Sequence, residues 1–177
     1  MHVEIRLLNR EDYERVHAFQ CEYLDQESME DFTDRISTNH DLYLGAFAAD
    51  ELVGVCYGHP SRRDNASINL QGIAVTHEET KQLLRTGIGS KLIAAFEDAV
   101  RSKGYRKIGL GSAEDLKVER FYLKNGYIPF ELVAKGSHHH EYERISVHDY
   151  DVGKVLQEEL RRRHQASEVI FIFEKML

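Results

Sequence analysis

The chain contains no tryptophan, only two cysteines (Cys21 and Cys56) and two prolines (Pro60 and Pro129), and its unbroken apolar runs stop at five residues. Each scarcity excludes something. Two cysteines cannot build a disulfide framework and are not spaced as metal ligands. Two isolated prolines leave no Pro-rich linker. A run such as Val169 to Phe173 falls far short of the ~20 apolar residues that span a bilayer. The opening stretch MHVEIRLLNRED carries no apolar signal-peptide segment. No membrane partner is expected, and the cytoplasm is the expected compartment. Positive charge is also short, with 23 Lys and Arg against 30 Asp and Glu and a net charge of -7. A nucleic-acid partner is therefore not expected, because counterion release needs clustered Lys and Arg.

What is present suits one soluble domain with a real core. There are 177 residues, 42% apolar and 30% charged, against roughly 150 residues per domain. Val3 to Leu7 alternates as a strand. Asn9 offers an N-cap with Asp12 three residues on, and Tyr13, Val16, Phe19, Tyr23 and Leu24 follow at helical spacing. A second short helix is predicted from Ser28 to Ile36. Leu42 to Ala48 and Leu52 to Tyr57 read as a hairpin around Ala49-Asp50-Glu51. Ala66 to Val75 is a long strand whose Gly72 predicts a bulge or a close approach by another backbone or a ligand. The stretch THEETKQLLRT is compatible with a helix and leads into Gly87-Ile88-Gly89. From Ile88 to Val100 one face is apolar, with Glu97 and Asp98 assigned to the polar face and Gly104 as the stop. Then follow a strand from Lys107 to Ser112, a helix from Leu116 to Lys124 closed by Asn125-Gly126, and a strand from Tyr127 to Ala134. A loop around His138 to His140, a helix from Val152 to His164 and a last strand from Val169 to Met176 complete the chain. This order predicts an α/β fold with a mixed sheet.

The stretch that carries chemistry is strand, Gly87-Ile88-Gly89-Ser90-Lys91, helix. A helix N-terminus presents unpaired N–H groups and the positive end of its dipole, and glycines let an anion reach the backbone. A Walker loop needs Gly-Lys-[Ser/Thr], whereas the order here is Gly89-Ser90-Lys91. A dinucleotide fingerprint needs a third glycine where Leu92 stands. Both templates are disfavoured.

The blocks NLQGIAV (Asn69 to Val75), RTGIGSKL (Arg85 to Leu92) and ERFYLKNGY (Glu119 to Tyr127) occur in that order on strand, helix start and helix end. Together they resemble the GNAT N-acetyltransferase superfamily, over about Val3 to Ala134. The resemblance implies a single GNAT-like domain over 1–177, with a mostly antiparallel sheet flanked by helices and a helix–strand elaboration over 135–177. It implies acetyl-coenzyme A as co-substrate and no metal. It places the coenzyme pyrophosphate on Leu84, Arg85, Thr86, Gly87, Ile88, Gly89 and Ser90, and the pantetheine arm on Ile73, Ala74 and Val75. Asp115 stands where the family often has a pantetheine-contacting Asn, and Tyr122 resembles the residue that protonates the departing thiolate. The implied reaction is direct acetyl transfer to a primary amine of a small molecule or peptide, and a homodimer is compatible with it. Acceptor recognition falls to Tyr23 to Phe32 and to the His138 loop, where Asp25, Glu27 and Glu30 favour a cationic amine.

Many members place a Glu base on the bulged strand, but Ile68 to Val75 contains no carboxylate. The amine proton then leaves through ordered water, or to Asp64, His59 or Glu114. The missing carboxylate also keeps open a non-catalytic acyl-coenzyme A sensor on the same fold. Tyr122 has a competing reading as a core aromatic four residues from Val118. Cys56 and Cys21 both read as core thiols. His138 to His140 read as a solvated loop rather than a metal site, and Arg161 to His164 as cations complementing a helix C-terminus. Lys81, Arg85, Lys91, Lys117, Arg120 and Lys124 are placed to offset the charge of coenzyme A.

Overall fold

The computed structural model describes residues 2–76 and 86–177, which form two compact units, Met1–Arg106 and Lys107–Leu177. The first unit begins with β1 (Val3–Leu7) and a single 3-10 turn, Arg10–Asp12, that opens α1 (Tyr13–Tyr23). A capping box explains this start. Asn9 accepts from the Glu11 N–H at 3.0 Å, while Asp12 accepts from the Asn9 N–H at 2.9 Å. Ser28 caps α2 (Met29–Thr38) through the Asp31 N–H. The strands β2 (Tyr43–Ala48) and β3 (Glu51–Pro60) turn on Ala49 and Asp50, both at positive φ (48° and 65°) as a two-residue hairpin requires. They continue antiparallel into β4 (Ser67–Val75), giving the order β1-β2-β3-β4.

Side chains alternate across β3. Val55 and Tyr57 join Phe47, Tyr43, Phe32, Ile36, Val16 and Phe19 in one buried cluster under α1 and α2. Gly54 and Gly58 face α3 (Ile88–Ser102), where a Cβ would stand 3.0 Å from Leu92 and 2.7 Å from Phe96 respectively. Helix and strand backbones therefore approach more closely than any larger residue would allow. The predicted polar face of α3 needs one correction: Glu97 is buried, so that face is not wholly solvated.

The second unit contains β5 (Lys107–Gly111), α4 (Leu116–Lys124), β6 (Ile128–Lys135), β7 (Glu141–Ser146), α5 (Tyr150–His164) and β8 (Glu168–Met176). Its strands pair antiparallel in the order β5-β8-β6-β7. The strand β7 follows the expected loop around His138 to His140, in a stretch to which the sequence assigned no element. Its residues, EYERIS, are half-buried at most, so the apolar alternation that signals a strand is weak there. What defines it is pairing with β6. The fold is the expected mixed α/β one. No described helix is long and apolar enough to cross a membrane.

The α5 C-terminus is neutralised locally. Arg161 pairs with Glu114, Arg163 with Glu143 and Glu159, and His164 with Glu143, in keeping with the structural reading of that basic run.

Asp12 is a fully buried acid of the first unit. Arg6 holds its carboxyl well below the usual carboxylate range, with further help from the Asn9 N–H and Arg15. Asp12→Ala is expected to cost about 1–2 kcal/mol through loss of the capping box. A depressed folded-state value means that the stabilisation is complete above pH ~4 and is lost as pH falls further. Urea denaturation of wild type and variant at pH 7 and at pH 3 checks this: the gap between them narrows at the lower pH.

Candidate active site

Glycine opens α3. Gly87 is its N-cap in the left-handed region, with φ 75° and ψ 19°, and a Cβ there would meet nothing within 4 Å. The helices α2, α4 and α5 are capped by the side chains of Ser28, Asp115 and Asp149. By contrast, α3 has no side-chain cap and no acidic residue in its first turn. The N–H groups of that turn have no intrahelical acceptor, so Ile88, Gly89 and Ser90 offer donors at a dipole end where no described residue of the first turn is acidic. That is the arrangement a phosphate-bearing ligand requires. Thr86 lies just ahead of it, and Lys91 is exposed in the same turn. Leu84, Arg85 and Lys81, with most of the helix-compatible stretch before Gly87, lie outside the described residues.

Gly54 of β3 lies close both to α3 and to the end of β4. The Cβ position of Gly54 is 3.0 Å from Leu92 in α3, 3.1 Å from the Ala74 carbonyl and 3.5 Å from Val75. Ile73, Ala74 and Val75 are half-buried and pair with Cys56, Val55 and Gly54. Just before them the ladder slips: Tyr57 faces Gly72 but Gly58 faces Leu70, which leaves Gln71 as the extra residue of a bulge. The bulge, one of the alternatives expected at Gly72, is present, and a side chain rather than a backbone or a ligand approaches the glycine. The approaching group is the phenol of Tyr57, whose ring and hydroxyl lie 2.8–2.9 Å from where a Cβ would be.

Polar groups gather on that face. The Tyr57 ring stacks on Tyr43 at 5.0 Å and 15°, and the Tyr43 hydroxyl lies 2.9 Å from His59 Nε2. The guanidinium of Arg35 lies 4.8 Å from the Tyr57 ring centroid and pairs with Glu27 on the α1–α2 connection. Burial, reinforced by the charges of Arg35 and Arg62, holds the His59 imidazole down to about 4. Burial likewise pushes the Tyr57 phenol up. Both groups are neutral at neutral pH, and His59 is too weakly basic to draw a proton from an alkylammonium effectively.

The profile of the Acetyltransferase (GNAT) family matches residues 4–127. The chain belongs to this family. Among solved structures, Ard1 from Thermoplasma volcanium superposes with a TM-score of 0.70 at 17% identity, covering 100% of this chain and 99% of that one. Arabidopsis thaliana Naa50, in complex with the bisubstrate analogue CoA-Ac-MVNAL, gives 0.67 at 12% identity, with 100% of both chains covered. At these identities the likeness is one of fold. A curated relative, the tRNA(Met) cytidine acetyltransferase TmcA of Thermofilum pendens, is 35% identical over 65 residues. That is 36% of this chain, which spans only 8% of that relative's length.

The remaining GNAT candidates lie in the second unit. Asp115 is the N-cap of α4, its Oδ1 accepting from the N–H groups of Lys117 (2.7 Å) and Val118 (3.2 Å). Tyr122 is buried, with its ring 5.8 Å from Tyr127 and 5.9 Å from Phe173. These contacts fit the core-aromatic reading of Tyr122. Two carboxylates once open as bases have other work. Asp64 accepts from the Ala66 N–H at 2.9 Å within the β3–β4 turn, and Glu114 accepts from the Val169 N–H at 2.8 Å and pairs with Arg161.

Cys56 is fully buried, and burial pushes its thiol up, so it is inert as expected. Cys21 is half-buried rather than fully buried, with Sγ 3.5 Å from His17 Nε2. His138 and His139 adopt positive φ (58° and 59°) in a 3-10 turn, Ser137–His139. Among the described residues no group of three or more His, Cys, Asp or Glu could hold a metal ion.

Gly72 gives a direct test of the bulge contact. Gly72→Ala is expected to lower stability by about 1–3 kcal/mol, because the new methyl must displace the Tyr57 ring. In a Tyr57→Leu background the same substitution costs less. Chemical denaturation of the four proteins in a double-mutant cycle checks the coupling.

Proposed function

We propose that this chain transfers an acetyl group from acetyl-coenzyme A to a primary amine of a small molecule or peptide, by direct attack in a ternary complex. The observation that carries the reading is the uncapped, carboxylate-free start of α3 on left-handed Gly87, within the span matched by the family profile. The residues present fit the co-substrate. Thr86 to Ser90 supply backbone donors for the pyrophosphate, preceded by Leu84 and Arg85 in the sequence. Ile73, Ala74 and Val75 supply backbone groups for the pantetheine arm, and Asp115 is the further candidate contact. The peptide side of the reading is supported by the bisubstrate analogue named for the Naa50 structure. The relative TmcA is named for a cytidine acceptor instead, so family membership by itself does not select the amine. We read 1–177 as one functional GNAT domain, with 135–177 as its elaboration, acting in the cytoplasm.

In this mechanism the amine nitrogen bonds to the thioester carbonyl carbon and the carbonyl oxygen takes up the negative charge. A backbone N–H at the bulged end of β4 stabilises that oxyanion. The carbon–sulfur bond then breaks, and Tyr122 donates its phenolic proton to the leaving thiolate. The thiolate's basicity is close to that of a cysteine (~8.5), and a phenol of pKa ~10 can still protonate it.

The rival reading is a sensor that binds acyl-coenzyme A without turnover. Calorimetry with acetyl-coenzyme A, together with thiol release over a panel of primary amines, separates the two. Tight binding with thiol release for at least one amine is the expected result; binding with none favours the sensor. Tyr122→Phe is expected to lower kcat by about 100-fold or more while leaving acetyl-coenzyme A affinity in place. The wild-type rate should fall at high pH as the phenol ionises, a limb that the variant lacks. An unchanged rate and pH profile would remove the general-acid role.

A further inference from the structure

The C-terminal helix α5 reaches α4 through a buried acid. Glu119 lies on α4 and is 1% exposed. Its Oε2 accepts from the Tyr150 hydroxyl at 2.5 Å and from Lys154 Nζ at 3.1 Å, both donors belonging to α5. Burial and the Glu119 carboxylate push the Tyr150 phenol up, so Tyr150 keeps its proton and remains a donor. Lys154 also donates to Gln157 Oε1 at 2.6 Å, and the buried Gln157 donates Nε2 to the Val169 carbonyl of β8 at 2.7 Å. A continuous polar chain therefore runs from β8 through α5 to α4. Glu114, just ahead of α4, adds a second tie: it accepts from the Val169 N–H and pairs with Arg161 of α5.

Tyr150 also reaches α4 by a second route. Its ring centroid lies 5.3 Å from that of Phe171, Phe171 lies 5.6 Å from Phe173, and Phe173 lies 5.9 Å from Tyr122. Tyr122 follows Glu119 by three residues and both are buried on α4, a spacing that makes side chains neighbours on a helix. One α5 residue thus meets Tyr122 through a row of rings and the preceding turn through a hydrogen bond. Packing alone would not select the polar half of this arrangement. A buried ion pair is often no more stabilising than apolar side chains of similar volume, and Glu119 Oε1 is buried without a hydrogen-bond partner among the described residues. What the carboxylate adds over a leucine is direction, because it ties one turn of α4 to a single hydroxyl.

We propose that Glu119, held by Tyr150 and Lys154, is a positioning residue that sets where the Tyr122 phenol stands, so that α5 serves the reaction as well as the fold. This rests on the general-acid reading of Tyr122 above. Glu119 supplies no proton and acts only through Tyr122, while Tyr150 and Lys154 act only through Glu119. Such a tie matters because a displacement of about 1 Å can slow a reaction by about 100-fold. Its loss lowers the transfer rate and leaves coenzyme binding alone.

The test measures kcat by thiol release, with an amine that the wild-type chain acetylates, alongside urea denaturation of each variant. Tyr150→Phe keeps the row of rings and removes only the hydroxyl. It is expected to lower kcat by about 10-fold, with acetyl-coenzyme A affinity by calorimetry unchanged. Glu119→Leu combined with Lys154→Met replaces the ion pair by apolar side chains. That pair should slow kcat at least as much, with a urea midpoint no lower than that of wild type. Glu119→Gln keeps an oxygen for the Tyr150 hydroxyl and should recover most of the rate. In a Tyr122→Phe background each change should cost less than about twofold further, because the group it positions is gone. A wild-type kcat for Tyr150→Phe, losses that follow stability across the variants, or the same fold loss with and without the Tyr122 hydroxyl would each overturn the proposal alone. If the apolar pair fails to fold, Tyr150→Phe decides by itself. An unchanged rate for Tyr122→Phe, or a wild-type chain that acetylates no amine, would overturn the reading above and this inference with it.

Discussion

One extra residue in β4 organises the first unit. Gln71 breaks the register between Tyr57 and Gly58, and from that slip onward the strand presents its backbone differently from a regular ladder. Three neighbours depend on it. Gly72 must lack a side chain so that Tyr57 can lie over the bulge, and Tyr57 in turn supports both the Tyr43 stack and the Arg35 guanidinium. On the opposite face, Gly54 and Gly58 bring α3 against the same two strands. A side chain at any of these glycines would push apart elements that have to converge. The glycines here serve close approach, whereas only Gly87 in the candidate site needs a left-handed backbone.

The acidic balance of the chain takes on a different meaning once the carboxylates are located. Asp12, Glu114, Asp115 and Asp149 hold backbone N–H groups or buried ion pairs, and Glu143 neutralises the end of α5. A large part of the negative charge is therefore committed to local structure. The start of α3 is distinguished by having none of it. Among the described residues the first turn of α3 carries no acidic side chain, a local setting that suits an anion. Lys91, Lys117, Arg120 and Lys124 are all exposed, as solvated helix faces would also be.

The sequence made some of this legible and hid the rest, for physical reasons. The helix α4 was read at its observed bounds because Asp115 caps it and Asn125-Gly126 ends it, two local signals that tertiary packing did not override. The bulge was legible because a glycine weakens the interior of an apolar strand, a cost that a bulge or a close approach offsets. The strand β7 was not, since an edge strand of charged residues lacks the alternation from which strands are read. Glu97 was misplaced because a helical projection assigns faces by angle and cannot foresee a buried acid. His59 and Asp64 could not be ranked as bases from composition alone. Only the desolvation of one and the turn hydrogen bonds of the other decide the matter.

Donor and acceptor sides of the reading differ in kind, and that difference explains what could be recognised. A coenzyme held by backbone N–H groups needs glycines, a bulge and an uncapped helix start, and these leave a short, ordered pattern in the chain. An acceptor held by side chains needs only that a carboxylate arrive at one point in space. In this chain a carboxylate, that of Glu27, stands in the connection between α1 and α2, held by Gln20 and Arg35. Nothing in the spacing of Gln20, Glu27 and Arg35 marks them as a group, because their relation is set by how α1 and α2 pack over Tyr57.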